Sequence, residues 1–282
     1  MEELDQYINR VKNLPPAPKV LPKLLSLLND PNSDTSKVVE LISFDPGLTA
    51  NVLQRCNSAF FGAAMPASDI QEAVGRLGFS QVYQVIAAVT GSRTLSPPQK
   101  GYGYARGELW KHSVATAVAS QRIAECVGED GTIAFTGGLL HDIGKIILAD
   151  ALEHIYIKLV EETEKNQQSL LETEKKLLGV QHAEIGGRLL AIWKFPADLV
   201  ASVWFHHQPD SAVTHERIAS CVYLGNMIAH FMGFSYGHQA FAFRGRVEAL
   251  SCLNVSSDQL PHFMIETFEK LETVEALFQL QG

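Results

Sequence analysis

Apolar residues recur at intervals of three and four along almost the whole 282-residue chain, and no long run alternates with a period of two. That spacing lines up one face of a helix and does not supply the alternating faces of a strand. Val20, Leu21, Leu24, Leu25 and Leu28 form the first stripe, which Asn29-Asp30-Pro31-Asn32-Ser33 breaks. A second helix is predicted from about Thr35 to Phe44. Asp45-Pro46-Gly47 then sets a proline at the first helical position of a third, carrying Leu48, Val52 and Leu53. Ser68 is read as opening a helix that Gly78 closes, and Ser80 as opening the next. Later helices are predicted over about Arg106 to Val127, Asp130 to His141, Glu184 to Trp193, Ala197 to His206 and Ile218 to Phe231. Ser169 and Glu172 have capping-box spacing before Leu177, and the tail from Ser256 to Leu280 reads as amphipathic helix. The expected fold class is all-α.

Ser96-Pro97-Pro98-Gln99-Lys100-Gly101-Tyr102-Gly103 is the densest Pro/Gly cluster in the chain. It divides the expected architecture into an amino-terminal helical lobe (1–100), a second helical lobe (101–240) and a helical carboxy-terminal extension (241–282). With 46% hydrophobic and 19% charged residues the chain has ample core and is not a disordered polymer. A net charge of −8 argues against nucleic acid as partner, which a basic stripe would bind. The start, Met1-Glu2-Glu3-Leu4-Asp5, is acidic where a signal peptide would be basic, and the four cysteines form no Cys-x-x-Cys pair. A reduced, cytoplasmic setting is expected. Ile218 to Phe243 lacks any charged residue but carries Ser220, Asn226, His230 and three glycines, so it reads as a buried helix and a loop, with no membrane association.

Histidines carry the candidate chemistry. His112, His141, His182, His206 and His207 lie between the Pro/Gly cluster and the charge-poor helix. Glu108 precedes His112 by four residues, which places both on one helix face. His141-Asp142 falls where a helix runs out into Ile143-Gly144-Lys145, offering one nitrogen and a carboxylate able to bridge two cations. Imidazole with carboxylate and no thiolate suits divalent first-row metals better than a tetrahedral structural zinc. Spacing alone leaves two readings open, a metal site or a set of core histidines. His154, His215, His230, His238 and His262 are read as core. The charge runs Glu161 to Lys165 and Glu172 to Lys176 are read as solvated helix faces, and Gly101-Tyr102-Gly103 as a linker.

A series of motifs in fixed order adds a resemblance. Leu14-Pro15-Pro16-Ala17-Pro18, Asp45-Pro46-Gly47-Leu48-Thr49, Cys56-Asn57-Ser58-Ala59-Phe60-Phe61-Gly62 and Ala73-Val74-Gly75-Arg76-Leu77-Gly78 are followed by Leu109-Trp110-Lys111-His112-Ser113. Then come Gly138-Leu139-Leu140-His141-Asp142-Ile143-Gly144-Lys145, Gln181-His182-Ala183-Glu184-Ile185-Gly186, Trp193-Lys194-Phe195-Pro196 and His206-His207. Over about residues 14 to 240 the chain resembles the HDOD family, the HD-related output domains of bacterial signalling proteins. The resemblance implies a helical amino-terminal lobe packed against an HD-domain-like helical lobe, and a regulatory function. It also implies a signalling protein partner or a nucleotide-type phosphate ligand. Many HDOD proteins have lost the metal ligands of HD and HD-GYP phosphohydrolases, whereas this sequence retains most of them. Carried over by motif, the metal set is His112, His141, Asp142, His182, His206 and His207, with Glu108 and Asn226 as further members.

Two departures stand out. The enzymes carry an aspartate where the counterpart here is Asn226, and the Gly-Tyr-Pro loop after the paired histidines is replaced by Gln208-Pro209-Asp210. The expectation is therefore a signalling output protein holding one or two divalent ions, iron or manganese before others, with little or no turnover of cyclic dinucleotides. The alternative is a metal-dependent phosphohydrolase or phosphodiesterase in which Asp142 and Lys145 act on the substrate phosphate.

Overall fold

The structure, a computed structural model, describes residues 20–28, 30, 35–43, 49–50, 52–54, 57, 67–152, 169–234 and 247–278. The described residues contain no strand, and their β pairing amounts to one isolated bridge between Gln99 and Tyr104. The readings placed on Leu14 to Pro18, Asp45 to Gly47, Ser58 to Gly62, His154, Glu161 to Lys165 and His238 lie outside the described residues.

The amino-terminal part supplies α1 (Val20–Leu28), α2 (Thr35–Ser43), α3 (Ile70–Leu77) and α4 (Phe79–Leu95). Beyond the Pro/Gly cluster, which holds a short 3-10 turn at Lys100–Tyr102, come α5 (Glu108–Val127), α6 (Gly131–Leu140) and α7 (Ile143–Leu152). Then follow α8 (Leu170–Leu178), α9 (His182–Ile192), α10 (Ala197–Trp204) and α11 (Glu216–Phe231). The last two are α12 (Val247–Leu253) and α13 (Leu260–Phe278).

Local chemistry sets these ends. Asp130 caps α6 by accepting from the Thr132 and Ile133 N–H groups, and Ser169 with Glu172 forms the reciprocal capping box of α8. Gly128 and Gly179, both left-handed, close α5 and α8. Two readings shift by a residue. Asp69, not Ser68, caps α3 through the Glu72 N–H at 2.8 Å, and α4 starts at Phe79, so Ser80 sits inside its first turn.

Helix α5 is the axis of the molecule. It packs against α4, α6, α11 and α13, and α10 bridges α6, α9 and α11. The helical part of the charge-poor stretch lies in α11, whose residues from Ile218 to Ala229 are buried, and its residues 235–243 lie outside the described ones. A side chain at position 225 would collide with Ser120, so Gly225 lets α11 press its backbone onto α5. Gly144 does the same for α7, because a Cβ there would overlap the carbonyl oxygen of His182 at the start of α9. These two contacts bring the histidine-bearing segments within reach of one another. A single buried apolar cluster runs from Leu21 in α1 to Leu271 in α13. The stretch Gly131–Ala149 is long and apolar enough to cross a membrane, but it is divided between α6 and α7 and 89% of it is buried inside the fold.

Candidate metal centre

Five segments meet here. α5 presents His112 from its second turn, and α6 ends at His141. Asp142 and Lys145 flank the start of α7, α9 opens with His182, and α10 gives out at Phe205, leaving His206 and His207 in the turn that follows.

Asp142 stands between two groups of imidazoles. Its Oδ2 lies 3.6 Å from His112 Nε2 and 3.3 Å from His141 Nε2. Its Oδ1 lies 3.3 Å from His182 Nε2 and 3.8 Å from His206 Nε2. His112 and His141 face each other Nε2 to Nε2 at 3.2 Å, and His182 and His207 at 3.0 Å. The rings of His141 and His206 have centroids 4.9 Å apart, so the two groups are contiguous. Side chains up to 95 positions apart in sequence thus share one buried centre.

Backbone carbonyls fix which ring nitrogens carry protons. His112 Nδ1 donates to Phe234 O at 3.0 Å, His141 Nδ1 to Gly138 O at 2.7 Å and His206 Nδ1 to Val203 O at 2.6 Å. A carbonyl only accepts, so each neutral ring has its proton on Nδ1 and a bare lone pair on Nε2. Those lone pairs point at one another and at the Asp142 carboxylate. His206 Nε2 and Asp142 Oδ1 are buried without a hydrogen-bond partner, at a cost of about 1–3 kcal/mol each. Electron pairs converging without protons repel; a divalent cation between them turns the same geometry into ligation. His112, His141 and Asp142 offer ligating atoms all within 4.8 Å of one another, and so do His182, His206 and His207. The donors are nitrogen and oxygen, a fit for a first-row divalent ion.

Electrostatics favour the metal-ready protonation states of His112, His206, His207 and Asp142. Burial, reinforced by neighbouring imidazoles, holds His112, His206 and His207 well below the usual histidine range. Burial opposes ionisation of Asp142, but His141 and Lys145 outweigh it and hold the carboxyl well below its usual range. His182 differs: burial would lower it, yet the Glu174 carboxylate wins and raises it.

Lys145 Nζ sits 2.5 Å from Asp142 Oδ2, both groups buried, and lies 5.7 Å from the Tyr104 ring centroid and 6.0 Å from that of Tyr102. Asn226 is 2% exposed on α11, with an Oδ1 that has no hydrogen-bond partner. Glu108 belongs to neither group; its Oε2 accepts from the Ala105 N–H at 2.7 Å, at the start of α5.

Several readings are corrected. Glu174 is not on a solvated face: it is fully buried and accepts from His182 Nδ1, from the His182 backbone N–H and from Tyr102 Oη. The signal was present, since Leu170, Glu174 and Leu177 share the apolar stripe of α8. Tyr102, read as linker, is buried beside Lys145. His262 is no core residue but an exposed one near Glu266, and His215 is half-exposed at the head of α11. His230, also read as core, is half-buried with its ring centroid 5.0 Å from that of His112, and burial lowers its pKa to about 4.

An all-helical scaffold with a buried histidine–aspartate centre at its helix ends is an HD-type arrangement. The HDOD domain family model matches residues 14–209, and the chain belongs to that family. An uncharacterized protein of Treponema pallidum (strain Nichols) is 30% identical over 229 residues, covering 79% of this chain and 44% of that protein. The chain spans less than half the length of the curated relatives it matches. Among solved structures, a candidate phosphohydrolase from Shewanella amazonensis SB2B superposes with a TM-score of 0.72 at 24% identity, covering 96% of this chain and 97% of that one. A candidate signal transduction protein from Marinobacter aquaeolei VT8 gives 0.79 at 22% identity, covering 98% of this chain and 64% of that one. These likenesses establish the fold.

Proposed function

We propose that this chain is a signal-transduction output or regulatory domain of the cytoplasm whose HD-type lobe, residues 101–240, binds divalent metal at His112, His141, Asp142, His182, His206 and His207. One observation carries the reading: three imidazoles have Nδ1 tied to backbone carbonyls, which aims unprotonated Nε2 atoms at one another and at Asp142. One or two ions, iron or manganese before others, suit the two groups of donors with Asp142 between them. Such an ion, when bound, supplies a Lewis acid and lowers the pKa of a ligated water. The partner this reading expects is a signalling protein or a nucleotide-type phosphate ligand.

A second reading, a metal-dependent phosphohydrolase, is favoured by Lys145. Its buried ammonium at the edge of the centre is placed to neutralise charge on a phosphate. Asn226 weighs against it, since an amide where the enzymes have a carboxylate removes one negative charge from the ion's surroundings. The metal-loaded chain assayed against phosphomonoesters, phosphodiesters and cyclic dinucleotides separates the two. The regulatory reading expects bound metal without steady turnover; turnover abolished by Asp142→Ala makes the chain an enzyme.

A further inference from the structure

Helix α11 carries two polar side chains one turn apart, Asn226 and His230, which share a face because they are four residues apart. That face meets α5, the helix of His112. Asn226, the counterpart by resemblance of the enzymes' aspartate, is buried, and its Oδ1 has no hydrogen-bond partner. His230 stands beside the first group, whose ligating atoms within 4.8 Å of one another are those of His112, His141 and Asp142 without it. Its ring centroid lies 5.0 Å from that of His112, against 5.1 Å for His112 with His141, 4.9 Å for His141 with His206 and 5.0 Å for His182 with His207.

We propose that His230 is a metal ligand of this chain, completing with His112, His141 and Asp142 a donor set of three imidazoles and one carboxylate. The inference rests on the metal reading above and extends it to a residue outside the motifs that the resemblance carries over. The exchange has a chemical consequence. Where an aspartate adds charge and a hard oxygen, a third imidazole adds a neutral nitrogen of intermediate softness. Nitrogen-rich sites favour iron(II), cobalt(II) and zinc over manganese and magnesium, so of the iron or manganese named above this group is drawn to iron(II). His230 is only half-buried and lies near the carboxy-terminal end of α11.

Cobalt(II) titration of the full chain against a competing chelator, with its visible absorption recorded, tests this in the wild type and in His230→Gln and His230→Asn. The expected result is a loss of at least about tenfold in affinity for one cobalt and a changed ligand-field spectrum, with the helical circular dichroism retained. In the wild-type chain, zinc loading should also move an imidazole nitrogen resonance of His230, a readout that holds if a variant fails to fold. Equal cobalt affinity and spectrum in wild type and variants, with an unmoved His230 resonance, would overturn this inference alone. A wild-type chain that takes up neither metal would overturn it together with the metal reading.

Discussion

The buried carboxylate of Glu174 receives both the ring Nδ1 and the backbone N–H of His182, each at 2.9 Å from Oε2. A single side chain thereby fixes the tautomer of one imidazole and satisfies the first amide of the helix that carries it. Tyr102, from the segment between α4 and α5, closes the arrangement with a 2.7 Å hydrogen bond to Oε1.

Glu174→Gln keeps the size of this group but removes its charge. Carboxylates behind ligating histidines raise ligand basicity and hold ring orientation, so metal affinity in the His182, His206 and His207 group should fall about 10–100-fold. Tyr102→Phe, which removes one donor and leaves the carboxylate, should cost less. Competitive chelator titration of the two variants measures both effects, and an unchanged affinity in Glu174→Gln would assign the carboxylate a folding role only.

Lys145 and Asp142 form a buried pair in the metal-free chain. Removing one partner of such a pair strands the other, so Lys145→Met should destabilise the metal-free protein by about 3–5 kcal/mol. The double change with Asp142→Asn should cost less than the sum of the single changes, because it leaves no stranded charge. Urea unfolding of the four proteins in chelator gives the coupling directly.

Two glycines should respond to alanine with opposite signs. At Gly144 a methyl group would overlap the His182 carbonyl and come within 2.8 Å of the Gly186 nitrogen, backbone that has nowhere to move. Gly144→Ala should cost about 3 kcal/mol or more and displace α7 from α9. At Gly75, inside α3, nothing lies within 4 Å of the added carbon. Gly75→Ala should stabilise by about 0.5–1 kcal/mol through helix propensity. Denaturation midpoints with unchanged slopes decide both cases.

Among the described cysteines, Cys126 is exposed, Cys252 half-buried and Cys221 buried, and burial pushes the Cys221 thiol well above its usual range. Timed reaction with a soluble disulfide reagent should modify Cys126 first, Cys252 more slowly and Cys221 only on unfolding. Early modification of Cys221 would mean that α11 is not packed against its neighbours as described.

The helical class was legible because the apolar stripes repeat at helical spacing with punctuation at each end: Asp130, Gly128, and Ser169 with Glu172 fall where the caps are found. The family was legible because many short motifs kept one order. The convergence of the centre was legible only as residue types, since no spacing says that His112 and His207 will meet. Glu174 was hidden by its neighbours: in Glu172-Thr173-Glu174-Lys175-Lys176 the charge run masks one acid that the α8 stripe turns inward. His230 was hidden for the opposite reason, a lone polar ring in an apolar helix, which most often means core. Gly144 was read as lying where a helix runs out, whereas it sits inside α7, and neither it nor Gly225 shows in sequence which backbones it allows to touch.

The central claim is that metal occupies the space between His112, His141 and Asp142, and an anomalous-scattering map from crystals grown with excess iron(II) or zinc tests it most directly. The account predicts a peak at bonding distance, about 2.0–2.2 Å, from His112 Nε2, His141 Nε2 and Asp142 Oδ2, lost in Asp142→Ala. A map with no peak at those three atoms, from protein shown to be folded and fully exposed to the metal, would contradict it.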